Sequence, residues 1–111
     1  MSERRLEIVR GLYEAFARGD RSAFEAAFAD HLSFSSPLDV DLDRAGYFER
    51  CWPGSGQGQE FDVVREVESG DEVIVTYEMK RPGRPRGRNT EVLTFTGDKI
   101  SRVEVYFGWD V

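Results

Sequence analysis

Glu91 is the residue whose neighbours in the sequence point most directly to chemistry. In the run Thr90 to Thr96, Glu91, Leu93 and Phe95 fall at every second position, so an extended strand aligns a carboxylate with two large apolar side chains. The run Ile100 to Trp109 follows across Gly97-Asp98, a pair that reads as a hairpin turn. In that second run Val103, Val105, Phe107 and Trp109 share one face, and Arg102, Glu104 and Tyr106 the other. If Glu91 faces the apolar set, desolvation raises its pKa and suits it to give or take a proton. The alternative is a carboxylate at a pocket rim paired with Arg88, Arg44 or another cation. Enclosed and unpaired, it must be protonated or hydrogen-bonded.

Few other residues offer chemistry. Tyr13, Tyr77, Trp52 and Trp109 combine flat apolar area with one polar handle each, which suits either a ligand pocket or plain core. Tyr77 shares a strand face with Val75 and Met79. His31 is the only histidine and follows a predicted helix end, where a surface role outweighs catalysis. Cys51 is the only cysteine. It has no intrachain disulfide partner and reads as a small buried hydrophobe in a reducing compartment. Asp39, Asp41 and Asp43 lack the glycine and terminal glutamate of a calcium loop and read as capping and loop residues. No metal site is expected.

The elements that must position these residues follow from periodicity. Leu6, Val9, Tyr13 and Phe16 recur at spacings of three and four, giving an amphipathic helix from near Ser2 to Gly19. Ser22 and Glu25 have the spacing of a capping box before a second short helix ending around Asp30. His31 to Ser36 alternates and stops at Pro37, a short strand. Asp39, Asp41 and Asp43 offer N-caps to a third helix from about Leu42 to Trp52, closed by Pro53 and Gly54. Residues 54–59 have the composition of a flexible connector. The segments Phe61 to Val67 and Val73 to Lys80 then join the two runs already described, giving three helices and one early strand before a four-stranded meander. Helices and strands are segregated, the mark of an α+β fold. Lys80 to Arg88 carries five cations broken by proline and glycine, which reads as a solvated hairpin loop.

The chain has 111 residues and a formal net charge of −6, the size of one domain spanning residues 1–111. Its acidity excludes ordinary nucleic-acid binding. It contains no apolar run of the roughly 18 residues needed to cross a bilayer, and a charged N-terminus leads straight into the first helix. A cytoplasmic location is expected, without membrane or nucleic-acid partners.

Four segments carry a resemblance: Tyr13-Glu-Ala-Phe-Ala-Arg-Gly-Asp20, Ala27-Phe-Ala-Asp30, Phe34-Ser-Ser-Pro37 and Phe95-Thr-Gly-Asp-Lys-Ile100. In their order and spacing they resemble the nuclear transport factor 2-like superfamily, which includes ketosteroid isomerase and the SnoaL-like polyketide cyclases. The resemblance covers essentially the whole chain. It implies a cone-shaped, curved mixed β-sheet with three N-terminal helices packed on its concave face, an apolar pocket between them, and commonly a dimer through the convex face. It fixes no reaction, because the fold hosts both enzymes and binding modules.

Carried over by position, the resemblance places the isomerase's general base at Ser36, which has no useful basicity near neutral pH. Its protonated oxyanion-hole carboxyl falls on Glu91, four residues before Phe95. Its first-helix tyrosine falls on Leu12, with Tyr13 adjacent, a slip that turns a helical side chain by about 100°. The resulting expectation is a small apolar ligand, with Glu91, Tyr13 and Tyr77 as the catalytic set. The pocket would be lined by Leu12, Phe16, Phe34, Ser36, Trp52, Val75, Met79, Leu93, Val105, Phe107 and Trp109. No cofactor is expected. The chain reads either as a cofactor-independent isomerase or cyclase working by proton transfer, or as a non-catalytic ligand-binding or dimerisation module. Homodimerisation would use Arg102, Glu104, Tyr106, Thr76 and Glu78.

Overall fold

A bent sheet with helices over its hollow side organises the chain. The computed structural model describes residues 2–111, with elements in the order α1 (Ser2–Arg18), α2 (Arg21–Ala26), β1 (Phe28–Ser35), α3 (Arg44–Arg50), β2 (Glu60–Ser69), β3 (Glu72–Lys80), β4 (Gly87–Thr96) and β5 (Lys99–Asp110). The sheet order is β1-β5-β4-β3-β2. β2 to β5 form an antiparallel meander, and β1 joins its far edge parallel to β5. The fold is the expected α+β cone with a curved mixed sheet.

Four helix boundaries differ from the local pattern. α2 is capped by Asp20, whose carboxylate accepts from the Ala23 amide at 3.2 Å, rather than by Ser22, which lies inside the helix. The same helix stops at Ala26 rather than Asp30, because the Ile100 amide donates to the Ala27 carbonyl and draws Phe28 into register beside Ile100. His31 is therefore an exposed strand residue and not a helix-end residue. α3 begins after Asp43, which caps the Gly46 amide at 2.7 Å, while Leu42 bridges back to Phe34. Beyond Arg50 the chain tightens into a 3₁₀ turn at Trp52–Gly54, so the helix does not run on to Trp52.

The 54–59 connector is tied to the end of α1. The amides of Gly56 and Gly58 donate to the carbonyls of Phe16 and Ala17, two of the groups that a helix C-terminus leaves unsatisfied. Gly19 has φ +74°, and a Cβ there would lie 3.2 Å from the Gly56 Cα, so both the turn and the close approach favour glycine.

The core is the space between α1 and the meander. Val9, Ala15, Val73, Val75, Leu93 and Ile100 are fully buried. Near Val64 a register shift re-aims β2. Glu66 and Glu68 then lie opposite Val75 and Val73 on the inward face and meet Arg10 and Arg5 of α1. On the outward face Thr76 is 6% exposed and shares a 2.8 Å hydrogen bond with Thr90. It has little surface to give a partner, contrary to its expected place in a dimer contact.

Leu93→Ala is expected to lower unfolding free energy by about 2–5 kcal/mol, the cost of a cavity at a fully buried leucine. Val67→Ala, at a position 51% exposed, should change it by less than about 0.5 kcal/mol. Urea denaturation of both variants checks this.

Candidate functional site

Three aromatic rings from three elements build the floor of the hollow. Tyr13 of α1 stacks on Phe61 of β2 at 5.1 Å between centroids and lies 5.2 Å from Tyr77 of β3, and Phe61 and Tyr77 are 5.4 Å apart. A second group, Phe24, Phe28, Phe34 and Tyr47, closes the other side, with Phe24 and Tyr47 stacked at 5.6 Å. Between them lies a cavity of about 310 Å³ that opens to the surface, at the small end of ligand pockets.

Glu91 lines this cavity. It lies opposite Val75 and Val105 on the neighbouring strands, and Tyr77 is opposite Asn89. Tyr77 and Glu91 are thus diagonal neighbours across β3 and β4, a spacing that long side chains bridge. The Tyr77 hydroxyl donates to Glu91 Oε2. The other carboxyl oxygen is left uncommitted. The Asn89 amide oxygen is engaged by the Gly108 amide, while its side chain also polarises the Tyr77 phenol.

Among the described residues no cation neutralises Glu91. Arg88 pairs with Glu78 at 2.5 Å, and Arg44 lies beside Asp30 and Glu25; among the described residues Glu91 is in no ion pair. Protein surrounds it in depth, although part of its surface faces the open cavity. Burial pushes its carboxyl pKa up, and the hydrogen bond from Tyr77, then the nearby Tyr13 phenol, oppose the shift without cancelling it. Burial first, and the Glu91 charge second, also push the phenols of Tyr13, Tyr47 and Tyr77 well above their ordinary range. The Tyr13 hydroxyl is near enough to influence Glu91, but it is buried and makes no well-formed hydrogen bond. A buried donor without a partner is costly.

Of the expected site residues, Leu12, Tyr13, Phe16, Phe34, Ser36, Tyr77, Met79, Glu91, Val105 and Phe107 line the cavity. Four do not. Val75 and Leu93 are fully buried in the core behind it, since a strand's inward face serves the core along part of its length and the cavity along the rest. Trp52 packs behind Phe16 and Phe24. Trp109 is 65% exposed and stacks under Arg88. The cause is a bulge: Gly87 lies opposite Asp110, but Asn89 lies opposite Phe107. One extra residue in β5 reverses its alternation beyond Phe107. Gly108 lies at the shift, where a Cβ would clash with the Arg88 carbonyl.

Sequence reasoning missed Phe24, Phe28, Leu38, Asp39, Tyr47, Arg50, Cys51, Gln59, Phe61, Arg81 and Asn89. Asn89 and Phe61 share the inward alternation of Glu91 and Tyr77 and were within reach of that signal. Tyr47 and Phe24 gave none, because α2 and α3 are too short to show a face. The basic segment 80–88 is more than a solvated loop: Arg86 pairs with Asp62 and Glu78, Arg88 with Glu78, and Arg81 lines the cavity. Asp39, Asp41 and Asp43 engage Arg50, two serines and a helix start respectively. Among the described residues no group of three or more His, Cys, Asp or Glu side chains could hold a metal ion.

A curved, unclosed mixed sheet with three helices over its hollow places the protein in the nuclear transport factor 2-like class. Within that class the chain belongs to the SnoaL-like domain family, whose model matches residues 9–103. No curated protein matches it. Among solved structures it is similar to a Kribbella flavida protein whose proposed activity is that of a ketosteroid isomerase (18% identity, 98% of this chain and 81% of that one, TM-score 0.81). It is also similar to a nuclear transport factor 2-like protein of unknown function from Burkholderia xenovorans (20% identity, 99% and 87%, TM-score 0.78). A de novo designed protein with a curved β-sheet is equally similar in shape (12% identity, 97% and 88%, TM-score 0.81). These likenesses establish the fold alone. Among the described residues no helix is long and apolar enough to cross a membrane.

The raised Glu91 pKa has a consequence for stability. Above its ordinary value of 4.5 the unfolded chain's carboxyl ionises while the folded one resists, so the folded state binds more protons and stability falls as pH rises. Glu91→Gln removes this dependence and keeps an oxygen for Tyr77. The variant is therefore expected to gain stability relative to the parent as pH rises from 4.5 through the folded pKa, with no further gain above it. Urea titrations of both proteins across the acid-to-neutral range test this.

Proposed function

We propose that the chain is a cofactor-independent proton-transfer enzyme of isomerase or cyclase type, acting on a small, mostly apolar carbonyl compound. The observation that carries this reading is the Glu91 carboxyl, set among apolar and aromatic side chains of the cavity, in no ion pair among the described residues, held by Tyr77 and beside the Tyr13 hydroxyl, which has no well-formed hydrogen bond. In the proposed step the free Glu91 oxygen takes a proton from the carbon next to the carbonyl. The C–H electron pair moves through the new carbon–carbon double bond onto the carbonyl oxygen, where the Tyr13 O–H receives the developing charge. Glu91 then returns the proton to carbon, so its base and acid roles alternate and no second carboxyl is needed. A raised pKa serves this directly, since a base whose pKa lies nearer the working pH takes protons from carbon more readily. Tyr77 keeps the carboxyl oriented in both states.

A non-catalytic binding module is the second reading. Ser36, at the place of the isomerase's base, is held in a turn by the Leu38 amide and offers no basicity. We also infer homodimers formed through the outward sheet face around Arg102, Glu104, Tyr106 and Glu78, and a reducing, cytoplasmic location suited to the unpaired Cys51. Sedimentation should show a dimer at tens of micromolar; a monomer there would remove that inference.

Deuterium uptake from D₂O next to the carbonyl, followed by NMR on a panel of cyclic enones and a 3-oxo-Δ5 steroid, tests the catalytic reading. The parent should catalyse exchange on at least one of them, and Glu91→Gln should retain ligand binding but lose about 10²–10⁴-fold in rate. Binding without exchange in the parent, or equal exchange in the variant, would favour the binding module.

A further inference from the structure

The cavity has a second polar end that the proton-transfer reading leaves unused. The chain carries a net charge of −6 and thirteen arginines. Ten of these lie within ion-pair distance of a carboxylate. Among the described residues Arg65, Arg81 and Arg84 do not, and of these three only Arg81 lines the cavity. It follows Lys80, the last residue of β3, and is half-buried.

The two carboxylates in the lining are already committed. Asp39 accepts from Arg50 Nε at 2.7 Å, and Glu91 from Tyr77. Arg81 is therefore a cation at the cavity with no charge to answer it, in a protein with carboxylates to spare. Its planar guanidinium forms paired hydrogen bonds with a carboxylate, a geometry that an ammonium does not reproduce.

Resting on the pocket reading above, we propose that the ligands of this cavity are amphipathic oxo acids. Their carboxylate would be held by Arg81, while an apolar body carries a carbonyl to the Tyr13 hydroxyl beside Glu91. The opposite orientation would set two carboxyl groups side by side in apolar surroundings, and like charges in low dielectric repel strongly. Charge thus fixes which end enters.

Calorimetric titration with 4-(4-acetylphenyl)butanoic acid and its primary amide tests this on the intact protein. The two probes share size and ketone and differ in charge. The acid is expected to bind about 10-fold more tightly, the equivalent of about 1.4 kcal/mol, with a preference that weakens as salt rises. Arg81→Gln should bring the two probes together, and Arg81→Lys should keep part of the preference. Equal binding of acid and amide, an acid preference that survives Arg81→Gln, or no binding of either probe would overturn the inference. Equal binding with Glu91-dependent deuterium exchange intact removes the oxo-acid inference alone. An Arg81-dependent acid preference without exchange supports it and removes the catalytic reading.

Discussion

The hydrogen bond from Tyr77 to Glu91 is the interaction on which the rest of the cavity depends. A carboxyl enclosed among apolar side chains without a cation has two ways to remain folded in: it can keep its proton, or it can draw hydrogen bonds from neutral donors. This chain supplies a phenol as the donor. Tyr77 reaches Glu91 across the diagonal of adjacent strands, while the Tyr13 phenol lies close by on the helix above. Each phenol is held in place by aromatic packing rather than by charge, so the carboxyl keeps a fixed orientation while its protonation state remains free to change.

That arrangement places demands on the whole sheet. β3 and β4 must be neighbours in the register that sets Val75 against Glu91, and a slip of one residue would turn every side chain of β4 to the other face. The hollow must stay open above Glu91 yet closed beside it. α1 closes it along the meander, secured by Val9, Leu12 and Tyr13 and by the pairing of Arg5 and Arg10 with the inward carboxylates of β2. β1 closes the far side only because it pairs in parallel with β5, bringing Phe28 and Phe34 against α3 and its Tyr47. The arginine pairs along the sheet's outer face engage Arg86 and Arg88, while Arg81 lies at the cavity.

Much of this was legible in local pattern, for definite reasons. Alternation over Thr90 to Thr96 put Glu91 on an apolar face because β4 is regular from Asn89 to Thr94. The spacing of Val9, Tyr13 and Phe16 gave α1 and turned Tyr13 inward, since a helix of 17 residues is long enough to show a face. Where the pattern failed, a distant partner had overridden it. β1 begins at Phe28 because of Ile100, a residue far along the chain. Trp109 leaves the cavity because of a bulge at Gly108, and alternation carries no mark of an inserted residue. Asp20 caps α2 in place of Ser22 because the turn after Gly19 presents Asp20 to the Ala23 amide. The cavity's far wall escaped notice because α2 and α3, of six and seven residues, are too short for periodicity to reveal which side they bury.

The central claim is that burial wins over hydrogen bonding at Glu91, so that the folded protein holds this proton more tightly than an exposed glutamate does. Carbon-13 NMR of the glutamate carboxyl carbons, with Glu91 assigned by its loss in Glu91→Gln, measures this directly as a titration midpoint. The account predicts a midpoint above the ordinary 4.5, and a further upward shift in Tyr77→Phe, because the phenol that favours the charged form has been removed. A midpoint at or below 4.5 in the parent protein would show that the hydrogen bonds outweigh burial, leaving Glu91 a weak base and contradicting the account.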